Sequence, residues 1–155
     1  MWYRGFLYDR IHANYPLWLA IIMSSLIFGF GHMFNNGVSI FSVVEIMITG
    51  LALAMAKWQS RSIWLIFGIH TGWNFAQNFL FGLPNSGVVS EVSVLHLDAV
   101  NASGKFFYDI IFGVEGAVSS LIIVLLLALA SFVMVHKADR SGELRERSGK
   151  TTNSV

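Results

Sequence analysis

The sequence predicts an all-α membrane protein: a bundle of about four transmembrane helices, with a short amphipathic helix at the interface before them. Three observations carry that expectation. Of 155 residues, 55% are hydrophobic and only 12% charged, and the mean hydropathy is +0.62, well away from soluble domains. The apolar residues fall into four runs, each close to the roughly 17–25 residues that cross a bilayer as a helix. Polar residues inside those runs recur at helical spacing, His70 and Asn74 above all. A net charge of +1 leaves no concentrated basic surface for nucleic acid. With no cysteine there is neither a disulfide nor a thiolate metal site, so any metal must rest on His, Asn, Asp or Glu.

Residues 1–15, MWYRGFLYDRIHANY, mix aromatics with Arg4, Asp9, Arg10 and His12. They suit an interfacial helix and are too polar to span. A positive start before an apolar run also fits a signal peptide, but no small-x-small site follows Phe30 and further spans come later, so the segment reads as retained. Pro16 opens span one, residues 17–34, which ends in Phe28-Gly-Phe-Gly-His32 with Ser25 and Gly29 on the face of His32. Asn35-Asn36-Gly37 makes a turn.

Span two, residues 38–56, carries Glu45 near its middle. A carboxylate inside an apolar segment is a functional candidate by default; the plain alternative is a neutral Glu hydrogen-bonded to a neighbouring helix. Lys57 to Arg61 form a basic, aromatic interfacial loop before span three, residues 62–83. Pro84-Asn85-Ser86-Gly87 ends that span and opens a loop to about Phe112 holding Glu91, Asp98, Lys105 and Asp109, in which Val88 to Leu97 reads equally as short strand or surface helix. Span four, residues 114–135, is nearly pure Leu, Ile, Val and Ala and reads as structural, with Glu115 favouring the helix dipole at its first turn. Residues 1–136 thus form a single membrane domain, and 137–155 a charged, disordered tail. Four spans put both ends on one side. That side collects Arg4, Arg10, Lys57, Arg61, Lys137, Arg140, Arg145, Arg147 and Lys150 against Lys105 alone, which makes it cytoplasmic.

Within span three, His70 and Asn74 project from one helical face, and Gln77 and Asn78 continue the polar line a turn further on. In hydrocarbon such a stripe must face protein or water, which marks a candidate site. The same residues also serve as hydrogen-bonding glue between helices, with Gly68 and Gly72 allowing close packing.

Three fragments together resemble the CPBP family of intramembrane endopeptidases, the CAAX prenyl protease and bacteriocin-processing (Abi) type. Its pattern is EExxxR, then FxxxH on the next membrane helix, then HxxxN two helices later. Phe28 to His32 fits FxxxH, His70 to Asn74 fits HxxxN, and Arg4 fits the Arg of the first motif. Residues 78–87 and 112–117 are also similar to bacterial members. The departure is the paired Glu, which the alignment on Arg4 puts before Met1. The chain then reads either as part of a longer protein in which Met1 is internal, or as a truncated, inactive form.

The resemblance implies peptide hydrolysis at the membrane of a bacterial plasma membrane, with a peptide or protein substrate. His32 and His70 would hold a metal, zinc, or the water directly. Asn74 would complete the site or donate to the oxyanion, Arg4 would anchor the carboxylates, and the upstream Glu would be general base. Glu45 is added from its depth alone, as a surrogate ligand or base. At about 1.5 Å per residue it lies about 12 Å below the outer end of its span and His70 about 17 Å below that face. His32, counted from Pro16, lies some 10 Å beyond His70, so tilt or a shifted first span must bring the imidazoles together. Two other readings stay open: an ion- or proton-handling bundle, and a binding or immunity-type protein without catalysis.

Overall fold

The computed structural model describes residues 2–96 and 106–152, with side chains through Lys137. Asp98 and Lys105 of the long loop, and the side chains of the tail beyond Lys137, lie outside those residues. Among the described residues the chain is helical and has no strand, only isolated bridges joining Asn85 to Val88 and Gly113, and Asp109 to Gly113.

A π-helical turn, Tyr3–Leu7, runs directly into α1, Tyr8–His12. Then come α2 (Leu17–Phe30), α3 (Ile40–Ser60), α4 (Ile63–Asn74) prolonged by a π-helical stretch Phe75–Leu80, and α5 (Val118–Thr152) after a short 3-10 turn, Val114–Gly116. Pro16 precedes α2 as the sequence suggests, and two serine caps mark further starts: Ser39 Oγ accepts the Ser42 N–H at 3.1 Å, and Ser62 Oγ accepts the Leu65 N–H at 3.3 Å. Two segments, Ile40–Ser60 and Val118–Lys137, are long and apolar enough to cross a membrane. The helix of span one has 14 residues rather than the expected 18, because Gly31 and the Asn35-Asn36-Gly37 turn end it early. That of span three breaks from α into π geometry at Phe75.

α3 is the central element, packed against α2 on one side and α5 on the other. Small residues set the α2–α3 distance. Ala20, Ser24, Ser25, Gly29, Gly50 and Ala54 are all buried, and a Cβ on Gly29 would meet the Met47 side chain. Backbones approach this closely only where side chains are absent or short. One cluster joins Tyr8 of α1, Ala20 and Ile21 of α2, and Ala54 and Met55 of α3, with Ala128 and Val135 of α5 against it. A second holds Phe28, Ile46 and Phe112, with Tyr3 and Val38 packed on it.

The N-terminal helix stands along this core rather than apart from it. Tyr3 packs edge-on against Phe28, Tyr8 is 3% exposed, and Asp9 pairs with Lys57 at the end of α3. Arg4 points inward and is 6% exposed. The expectation of an interfacial helix does not foresee this inward turn: two serines and an aromatic face receive the guanidinium.

Candidate active site

Phe28 is the hub on which the site is built. Its ring lies 4.8 Å from the His32 ring and 5.8 Å from the His70 ring, both edge-on, and the Arg4 guanidinium sits over it at 5.1 Å. One aromatic side chain of α2 thus touches the residue just beyond its own C-terminus, the imidazole of α4 and the arginine of the N-terminal helix. The offset counted along the sequence does not separate the two histidines.

His32 follows α2 in a turn, where its Nδ1 lies 2.8 Å from the Phe28 carbonyl oxygen. A carbonyl only accepts, so Nδ1 carries the proton and the Nε2 lone pair of the neutral ring is left for a ligand or a water. His32, His70 and Asn74 line one cavity of about 280 Å³ with Asn35, Asn78, Asn85 and Ser86. Its lining is almost wholly polar, imidazole and carboxamide, with Val88 as the apolar exception.

The opposite wall comes from the loop after span three. Asn85 Nδ2 donates to Asn74 Oδ1 at 3.0 Å. That bond occupies the amide oxygen of Asn74 and leaves its NH₂ as a donor. Ser86, in left-handed backbone at φ 46, accepts from Asn35 Nδ2 on its carbonyl at 2.9 Å and donates through Oγ to Glu115. Glu115 also accepts from Trp73 Nε1 at 3.0 Å, with Gln77 Nε2 3.3 Å away. With its nitrogen turned toward the loop, the Asn78 amide meets the Leu83 and Val88 carbonyls at 2.8 and 3.0 Å. Glu115 therefore ties the end of α4 to the loop that roofs the cavity.

Of the site residues expected from the sequence, His32, His70 and Asn74 converge. Arg4 shares Phe28 with them but does not line the cavity. Its Nη1 donates to Ser24 Oγ at 2.9 Å and Ser25 Oγ at 3.3 Å, and its Nε and Nη2 have no hydrogen-bond partner among the described residues. Glu45 does not line the cavity either. At 1% exposure it accepts from Ser120 Oγ of α5, a hydrogen bond between helices. Depth along a helix says nothing about direction around it, and Glu45 faces α5. Asn35, Asn85, Ser86 and Glu115 were missed as site residues. Only the Asn- and Ser-rich turns on either side of the histidines hinted at them, since no local pattern reports which loop folds over which helix.

The donor set also bears on zinc. Among the described residues no three His, Cys, Asp or Glu side chains lie close enough to hold one ion. Two imidazoles with carboxamides fall short of the three good ligands a zinc site uses, so these residues do not by themselves fit the metal.

The family described as Rce1-like, type II CAAX prenyl endopeptidase, matches residues 1–76. Arg4, Phe28 to His32 and His70 to Asn74 all lie in that stretch, and over it the chain is similar to this family. No curated protein and no solved structure matches. The chain is thus similar over residues 1–76 to CAAX-type endopeptidases, and its described residues are helical, with two helices long and apolar enough to cross a membrane.

Proposed function

We propose that the cavity between His32, His70 and Asn74 is the hydrolytic centre of an intramembrane endopeptidase. The observation that carries the reading is that an imidazole from the turn after α2 and one from α4 flank one ring and line one polar cavity. The Nε2 lone pair of His32 accepts a hydrogen bond from the attacking water, which His70 holds from the facing helix. Water adds to the peptide carbonyl carbon, and the Asn74 NH₂ donates to the oxygen on which charge develops. The general base takes the proton the water loses on attack, and as the carbon–nitrogen bond breaks it returns that proton to the departing amine.

The general base in this scheme is a carboxylate of the family's paired Glu, one helical turn before Arg4. The two unpartnered, buried donors of Arg4 are apt for such a carboxylate, since a buried guanidinium without an acceptor is costly. In the bilayer, α2 and α4 with its π-helical extension cross alongside α3 and α5. The end bearing Arg10, Lys57 and Arg61 faces the cytoplasm.

A second reading rests on the cavity as lined: among the described residues it holds no carboxylate. The 155 residues alone would then bind a peptide without cutting it. One comparison separates the two. A chain extended upstream through its reading frame to include a Glu pair should cleave a membrane-anchored peptide, and lose activity on His32→Ala or His70→Ala. An extended chain whose activity survives both changes would remove the hydrolytic reading.

A further inference from the structure

The other end of the bundle holds a larger cavity, of about 480 Å³, between α1, the end of α3 and the start of α4. Tyr8, Asp9, His12, Lys57, Trp58 and Arg61 line it, with Ile63, the first residue of α4. No step proposed above uses any of them.

The charges in it are unequally engaged. Lys57 bonds Asp9 and lies over the Tyr8 ring at 4.3 Å, so that pair cancels. Arg61 and His12 are exposed and have no side-chain hydrogen bond or ion pair among the described residues. Tyr8 is buried with a hydroxyl that has no hydrogen-bond partner among the described residues. The N-terminus of α4 also opens toward this end, with Ser62 capping the Leu65 N–H and the positive end of the helix dipole favouring an anion. Arg61 holds φ 53, a left-handed conformation at a helix end where glycine is the usual occupant. The charge is kept there at a conformational cost.

The surroundings point to lipid. Trp18 and Trp64 are 60% and 71% exposed, and with Tyr15 and Trp58 they lie near the same helix ends as Lys57 and Arg61, which is the composition of a membrane interface. Basic pockets between membrane helices at that level accept anionic headgroups. We propose that this cavity seats the phosphate of an anionic phospholipid, with Arg61 supplying charge, His12 a ring N–H donor and Tyr8 a hydroxyl donor. The shared chemistry is phosphate, and a soluble phosphate is the other source of it.

The test uses the full chain in detergent, with thermal unfolding and native mass spectrometry as readouts. The probes are phosphatidylglycerol, phosphatidylcholine of the same acyl chains, and inorganic phosphate. Phosphatidylglycerol should bind and raise the melting temperature while phosphatidylcholine does not. Arg61→Gly suits the left-handed backbone, so the fold stays intact while lipid affinity drops about fivefold, the equivalent of one cation at a membrane surface. His12→Ala, at an exposed position, should weaken binding in the same direction. An equal response to inorganic phosphate at matched concentration would assign the site to soluble phosphate. Equal binding of the two lipids, or phosphatidylglycerol binding unchanged in both variants, would overturn the proposal.

Discussion

The cavity takes one imidazole from the turn that follows α2 and one from α4 itself, yet the two helices are held in opposite ways. α2 is packed: Ala20, Ile21, Ser24, Ser25, Phe28 and Gly29 are buried, and its small residues lie directly against α3. α4 buries only Ile66, and among the described residues nothing lies within 4 Å of where a Cβ would stand on Gly68 or Gly72. What holds α4 is polar, the Asn74–Asn85 bond and the Trp73–Glu115 bond near its C-terminus. Apolar packing fixes one half of the site, and a few hydrogen bonds from a loop tether the other. In a membrane such bonds count, because lipid cannot replace them.

The comparison can be broken most severely on the packed side. Gly50→Val puts a Cβ 2.6 Å from Arg4 Nη2 and 3.2 Å from Ser25 Cβ, which displaces the guanidinium and parts α2 from α3. A loss of roughly 3 kcal/mol is expected from overpacking together with the lost serine bonds, read by thermal unfolding in detergent. A variant as stable as the parent would mean that the two helices are not in close contact.

On the tethered side, Glu115→Ala leaves Trp73 Nε1 and Ser86 Oγ without their acceptor. The expected cost is about 1–3 kcal/mol, and it should be local. Hydrogen exchange across α4 and its π-helical extension should rise while α2 stays protected. Equal acceleration in both helices would erase the distinction drawn here.

Much of this was legible beforehand and some was not. The apolar runs and the helix start at Pro16 come from local pattern, because helical periodicity is a property of the sequence itself, whereas the meeting of His32 with His70 is implied by the family resemblance alone, against the depth count. Three features are not local. Arg4 reads as interfacial until Ser24, Ser25 and Phe28 are seen to enclose it. Glu45 sits at a suitable depth but turns to Ser120. Gly68 and Gly72 read as a packing face, whereas among the described residues that face is open. Each depends on the rotation of one helix about its axis relative to another, which spacing along the chain does not encode. The same holds for Glu115, whose place at a helix start suggests only the dipole.

A finer change sharpens the account of the tether. Asn85→Ala releases the Asn74 amide oxygen and leaves its NH₂ free to turn away. Stability should fall by about 1 kcal/mol. In an active, upstream-extended chain kcat should fall about tenfold or more with KM nearly unchanged, as expected when a transition-state donor is misdirected. A rise in KM with kcat intact would instead assign Asn85 to substrate binding.

The smallest effect belongs to the open face of α4. Gly68→Ala and Gly72→Ala should each be neutral or stabilising by up to about 1 kcal/mol, through helix propensity alone. Clear destabilisation of either would show that something packs on that face.

The central claim is that His32 and His70 meet across one cavity. The chain contains no cysteine, so His32→Cys combined with His70→Cys gives a clean pair for a short thiol-to-thiol cross-linker. Asp9→Cys with Lys57→Cys, an ion-paired couple, is the positive control. The account predicts intramolecular cross-linking of the 32–70 pair in native membranes, with an efficiency near that of the control. Efficient cross-linking of the control with none between 32 and 70 would contradict it.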